Sequence, residues 1–175
     1  LPETLQRART LVLDADGLNA VASNPALQDA VRQRMARNQT TVLTPHPLEA
    51  ARLLGTDTAA VMADRLAAAR ALSERFGCIC VLKGSGTVVC APGETPRINA
   101  SGNAALATAG SGDVLAGPIG AALAAPETGK SALLRVADAV YHHGWLADRW
   151  VANASLHSSC APLTAGALAR AASAT

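Results

Sequence analysis

The sequence predicts an α/β fold built on a mostly parallel central sheet, and three observations lead there. Three short apolar runs, TLVLDA (10–15), TTVLTP (40–45) and CICVLKG (78–84), are rich in Val, Leu and Ile without polar alternation, as strands buried on both faces are. Stretches of helical periodicity separate them. Each run ends in polar or turn residues, as in strand–helix units joined by right-handed crossovers.

The elements follow in chain order. Residues 25–36 place Leu27, Ala30, Val31 and Met35 on one stripe. Residues 57–76 place Met62, Leu66, Ala69 and Phe76 on another, behind an Asp57/Thr58 start suited to cap the first turn. After Lys83, TVVCAPG (87–93) and TPRIN (95–99) read as two short strands around a Pro/Gly turn. A loop rich in Gly, Ser, Asn and Ala spans 100–112. A helix is expected from about Asp113 to Leu123, kinked at Pro118. A long helix over 128–150 aligns Leu133, Val136, Val140, Gly144 and Ala147, and a last one covers Thr164 to Ala171. With no repeat and no linker, residues 1–175 read as a single domain.

Composition narrows the function. Half of the 175 residues are hydrophobic, which promises a core and excludes a disordered tail. Lys+Arg 15 against Asp+Glu 13 leaves a net charge of +2 with no basic block, and the aromatic residues are Trp145, Trp150, Tyr141 and Phe76. Neither an electrostatic footprint for nucleic acid nor a base-stacking platform follows from these. No apolar run reaches the ~20 residues of a membrane-spanning helix. The chain opens at Leu1 without a basic and apolar leader, so no secretory signal is read there. Cys78, Cys80, Cys90 and Cys160 lack zinc-type CxxC spacing and are expected as small buried thiols of a cytoplasmic protein.

Four polar segments hold the candidate chemistry. In AGSGD (109–113), glycines let the backbone approach a ligand, and a helix starting there aims unpaired N–H groups at it. Gly110, Ser111 and Gly112 thus form an anion hole suited to phosphate. Asp113 beside it either holds magnesium, takes a proton from an attacking hydroxyl, or caps the helix. LKGSGT (82–87) ends a core strand, where open α/β sheets bind ligands. Lys83 can grip a phosphate, Gly84 and Gly86 loosen the turn, and Ser85 and Thr87 add hydroxyls; a plain turn is the alternative. The lysine precedes the glycines, so this is not a P-loop. In LTPHPLE (43–49), His46 and Glu49 can share the first turn of a helix, with His46 a ligand contact. Glu49 either reaches magnesium through water or favours the helix N-terminus. In LDADGLN (13–19), Asp14 and Asp16 either orient substrate hydroxyls or cap the next helix, Asp16 being the better cap. In a doubly wound sheet such loops gather along one edge, giving one nucleotide-plus-substrate cleft. His142, His143 and His157 read as structural.

Together, LDADGLNAVA, TVLTPHPLEAARLLG, VLKGSGTVV and NASGNAALATAGSGDVLAG, followed by AVYHHGWLADRW, resemble the ADP/ATP-dependent NAD(P)H-hydrate dehydratases in sequence and order. These are a branch of the ribokinase-like superfamily. The resemblance implies a three-layer α/β/α fold and a lyase that restores NADH or NADPH from the hydrates NADHX and NADPHX. The hydrate hydroxyl is phosphorylated from ADP (or ATP) with Mg2+, and phosphate then leaves. It implies that Asp113 contacts the hydrate and activates its hydroxyl. Lys83, Gly84, Ser85, Gly86, Thr87 and Gly112 would bind nucleotide, His46 the hydrate, and Glu49 magnesium through water. It also implies a homo-oligomer, with no nucleic-acid or membrane partner. Leu48, Ala104 and Ala105 depart from the family's usual glycine and Pro-Gly. Family members carry further strands and a Gly-rich substrate loop before the LDADGLN strand, so these 175 residues alone are expected to fall short of a competent dehydratase. Two other readings stand beside this one: a ribokinase-like kinase acting on a small alcohol through the same Asp113, and a nucleotide-binding module without catalysis.

Overall fold

The structure is a computed structural model that describes residues 1–125, 129–157 and 162–173, with side chains described as far as Asn153 in the middle stretch. His157's side chain and Cys160 lie outside the described residues. The chain divides into two compact units, Leu1–Ile98 and Asn99–Thr175.

The first unit runs α1 (Pro2–Arg7), β1 (Thr10–Leu13), α2 (Ala15–Ser23), α3 (Pro25–Ala36), β2 (Thr40–Leu43), α4 (Pro47–Leu54), α5 (Thr58–Ala63), α6 (Arg65–Phe76), β3 (Ile79–Leu82), β4 (Val88–Cys90) and β5 (Arg97–Ile98). The strands form one mixed sheet in the order β1-β2-β3-β4-β5. β1, β2 and β3 are parallel, and β4 and β5 return antiparallel. The α/β class and the apolar runs are therefore as expected. Alternation decides the packing. Leu13, Leu43, Cys80, Leu82 and Cys90 share a core with Leu18, Val21, Val31, Leu53, Leu72 and Phe76, while Val42, Val81 and Val89, from alternate positions, are also buried. Cys78, Cys80 and Cys90 are free buried thiols whose pKa values are pushed up by desolvation, so they are poor nucleophiles.

Two helical readings need correction. The expected 57–76 helix is two helices, broken at Asp64. Asp57 accepts from the Ala60 N–H at 2.8 Å and starts α5, and Asp64, in a non-helical conformation, accepts from the Ala67 N–H at 2.9 Å and starts α6. The break shifts the phase of the stripe: Met62 and Leu66 are exposed, and Ala68, Ala69, Leu72 and Phe76 are buried. On α3 the inward residue is Arg34 rather than the exposed Met35. Arg34 is fully buried because its guanidinium finds neutral oxygens, Thr41 Oγ1 at 2.7 Å, Leu5 O at 2.6 Å and Thr40 O at 3.1 Å. Desolvation, with Arg37 nearby, lowers its pKa.

The second unit holds a 3₁₀ turn (Ala104–Leu106), α7 (Ser111–Ala124), α8 (Ala132–His157) and α9 (Ala165–Ser173). Leu146, Ala147, Leu163 and Leu168 form a core with Ala105, Leu106 and Val114 around them. The predicted stripe Leu133, Val136, Val140, Gly144 and Ala147 is buried. α7 is one helix on both sides of Pro118. Among the described residues no helix is long and apolar enough to cross a membrane.

Asp64 both ends one helix and places Arg65 at the start of the next. Replacing it in D64A is expected to cost about 1 kcal/mol, the usual worth of an N-cap carboxylate, measured as a lower urea midpoint.

Candidate active site

In the first unit, parallel pairing of Leu13 with Leu43 and of Leu43 with Cys80 brings the three following loops to one sheet edge. Backbone bonds tie them. Thr44 N–H and Oγ1–H donate to Leu13 O at 3.1 Å each, and Lys83 N–H donates to Pro45 O at 2.8 Å. Across this edge Lys83 Nζ meets Asp14 Oδ1 at 2.7 Å, with 21% and 13% of the two side chains exposed. Asp14 holds the N-cap position of α2 but makes no capping bond, and the exposed Asp16 sits in the first turn, so the capping expected of Asp16 is not what starts this helix. Ala15 follows at φ 45°, a left-handed backbone costly for a residue with a Cβ.

His46 and Glu49 form a capping box. His46 Nδ1 accepts from the N–H groups of Leu48 and Glu49 at 3.2 and 3.3 Å, and His46 N–H donates to Glu49 Oε2 at 2.9 Å. Glu49 is buried, with Oε1 3.5 Å from His46 Nε2. Of the two roles open for Glu49, the structure displays the helix-terminal one. Among the described residues no group of three or more His, Cys, Asp or Glu side chains could hold a metal ion.

In the Lys83 turn, Gly84 and Gly86 adopt φ 143° and 64°, and Thr87 Oγ1 donates to Gly84 O at 3.0 Å. The N–H groups of Gly84, Ser85 and Gly86 have no acceptor among the described residues.

The AGSGD segment lies in the second unit. α7 begins at Ser111, earlier than the expected Asp113, because Gly110 takes a left-handed φ of 83° and ends the preceding loop. A Cβ on Gly110 would sit 3.0 Å from Ala165 Cβ, so glycine is required there by both backbone and space. Ser111 is committed locally: its N–H donates to Thr108 O at 3.3 Å and its hydroxyl to Leu106 O at 2.8 Å. Val114 closes the first helical bond, onto Gly110 O at 3.1 Å. The Gly112 and Asp113 N–H groups are left without an acceptor among the described residues, at the positive end of a helix, and the Asp113 side chain is exposed.

Two α8 residues that the sequence reading gave no site role hold these loops. Asp148 accepts from Gly102 N–H at 2.8 Å and from Asn103 Nδ2 at 2.9 Å, and Ser101 Oγ donates to Tyr141 O at 2.7 Å. This fastens the NASGN stretch against Gly144, where an added Cβ would lie 2.7 Å from the Ser101 carbonyl carbon and oxygen. Buried His143 donates from Nε2 to Ser111 O at 3.0 Å; because the acceptor is a carbonyl, that nitrogen carries the proton. Desolvation lowers the His143 pKa, the Ser111 bond opposes this, and His142 adds to it. No sequence signal marks either, because each acts on a loop distant along the chain.

Parallel strands joined by helices, with a glycine-bearing turn after β3, define an α/β protein. The chain belongs to the NAD(P)H-hydrate dehydratase family, whose model matches residues 1–168. It is 52% identical over 117 residues to the ADP-dependent (S)-NAD(P)H-hydrate dehydratase of Neisseria meningitidis, a match covering 66% of this chain and 38% of that protein. It is similar to the crystal structure of the ADP/ATP-dependent NAD(P)H-hydrate dehydratase of Bacillus subtilis co-crystallized with ATP/Mg2+, at TM-score 0.67 and 32% identity over 75% of this chain and 45% of that one. A ribokinase-like superfamily protein of Enterococcus faecalis matches at TM-score 0.57 and 26% identity, over 86% and 58% of the two chains. The fold is thus ribokinase-like, as the resemblance implied, and the chain spans less than half the length of the Neisseria relative.

Two outcomes are expected. Gly144→Ala forces Ser101 off α8 and costs about 1–3 kcal/mol, read from chemical denaturation. His143 is neutral in the fold, with its pKa below the ordinary 6.5, so stability is full above that value and falls as pH drops toward the folded pKa, where the unfolded chain takes the proton first. Melting temperatures from pH 8 to 5 should show this decline, and His143→Gln, which keeps a donor but cannot titrate, should flatten it.

Proposed function

We propose that the intact protein dehydrates NADHX and NADPHX to NADH and NADPH, using ADP or ATP, and that the two compact units make up one dehydratase domain. The observation that carries the reading is the first turn of α7. There two amides without acceptors, and an exposed carboxylate without a bonded partner, among the described residues, share one glycine-opened helix start. The continuous family match across residues 1–168 supports the single domain.

The chemistry follows from leaving groups. Hydroxide is a poor one and phosphate a good one. Asp113 takes the proton of the hydrate hydroxyl as its oxygen bonds to the terminal phosphorus of the nucleotide, and the bond from that phosphorus to the bridging oxygen breaks. The Gly112 and Asp113 amides stabilise the charge on the transferring group. The phosphate ester then leaves with its C–O electron pair, a proton departs from the adjacent ring carbon, and the double bond returns. Lys83 and the amides of Gly84 to Gly86 hold the nucleotide phosphates. His46, whose ring is half exposed beyond its capping bonds, contacts the hydrate. A Mg2+ ion bound with the nucleotide would neutralise phosphate charge. The reading is of a cytoplasmic enzyme, and exposed Ile98 on edge strand β5 supports pairing between copies.

The test follows reduced-nicotinamide absorbance after mixing intact protein, hydrated NADH and ADP. Recovery is expected. Asp113→Asn should abolish it while leaving ADP binding nearly intact, and Lys83→Ala should weaken ADP binding by less than about tenfold, because Asp14 already shares the ammonium. Stable phosphorylation of an alcohol without recovery would identify a kinase instead.

A further inference from the structure

We propose that Arg65 is the positioning residue of the 83–87 turn, holding its carbonyl oxygens aside so that its amides face a nucleotide phosphate; this rests on the nucleotide reading above. Arg65 opens α6 behind the Asp64 cap. Its Nη2 donates to Leu82 O at 3.1 Å and Lys83 O at 3.3 Å, and its Nη1 donates to Ser85 O. A trans peptide points its N–H opposite to its C=O. Drawing in the carbonyls of residues 82, 83 and 85 therefore turns the N–H groups of Lys83, Gly84 and Gly86 away from the guanidinium. The first donates to Pro45 O, and the other two have no acceptor among the described residues. One cation thus sorts the turn into an acceptor side, which it neutralises, and a donor side left for an anion.

Two further observations fit this role. Gly84 has φ 143°, and a Cβ there would lie 2.9 Å from Arg65 Nη2 and 3.2 Å from Cζ, so the guanidinium packs onto the bare Cα. Among the described residues no carboxylate pairs with Arg65, whereas the charge of Lys83 is matched by Asp14, so Arg65 supplies the uncompensated positive charge at this turn. Its Nε is buried without a partner among the described residues, a penalty the fold accepts in this geometry.

The experiment measures binding of ADP and of adenosine to the intact protein by calorimetry, alongside melting temperature. Arg65→Ala should lose about tenfold or more in ADP affinity, as expected for removed charge-assisted bonds, with adenosine affinity unchanged. Arg65→Lys keeps the charge without the planar fork and should recover only part of it. Where Arg65→Ala does not fold, Arg65→Lys is judged by the same ADP-against-adenosine criterion. ADP affinity within about twofold of wild type in a folded variant, or equal losses for both ligands, overturns the proposal, since a phosphate-orienting cation must show in the phosphate term. A wild-type protein that binds no ADP overturns the nucleotide reading beneath it.

Discussion

Everything in these two sites depends on keeping backbone amides unpaired within a folded chain. Buried N–H groups are almost always satisfied, and an idle one near a carbonyl will take it. Among the described residues, Gly84 and Gly86 in one unit, and Gly112 and Asp113 in the other, have no acceptor, because their local carbonyls are already placed elsewhere. In the first case the carbonyls bond to Arg65. In the second, Gly110 bends the chain at φ 83° so that the helix starts with its donors forward. The proposed anion site is thus made by what the surrounding residues remove as much as by what the glycines allow.

Much of this was legible in residue order. The three Val/Leu/Ile runs gave their strands because parallel strands need apolar side chains on both faces, and AGSGD announced a helix start because glycine is needed before it. What failed was phase. Met62 and Leu66 fit one uninterrupted helical stripe, and only the competing cap at Asp64 breaks it; local propensity alone does not say which of Asp57 and Asp64 starts a helix when both do. Arg34 failed for another reason. Its burial depends on oxygens from α1 and β2 that meet it only in three dimensions. Arg65, His143 and Asp148 were illegible for the same reason: each acts on a loop distant in sequence, through backbone atoms that carry no residue code.

Several polar groups in these sites have structural work that bears on their chemistry. His46 Nδ1 is occupied by two amides and its Nε2 lies 3.5 Å from Glu49 Oε1, so the ring is held in one orientation. The same capping box fixes Glu49 inward. His143 works similarly, its proton committed to Ser111 O at the start of α7. Each bond narrows the rotamers of a site residue before any ligand arrives, which reduces the ordering cost of binding.

The Lys83–Asp14 pair shows how such a site can hold a cation without collapsing around it. A largely buried lysine with no counterion would be costly to desolvate. Asp14 pairs with the ammonium at 2.7 Å, and in doing so it also shields it. On the proposed nucleotide reading, an arriving phosphate must share Lys83 with a carboxylate, so the contact is worth the difference between two ion pairs rather than a whole one. Affinity for nucleotide would then fall more heavily on groups with no internal anion to satisfy. In the first unit those are the turn amides and the guanidinium that sets them, which is why the backbone of the KGSG turn, rather than its lysine alone, is the decisive element.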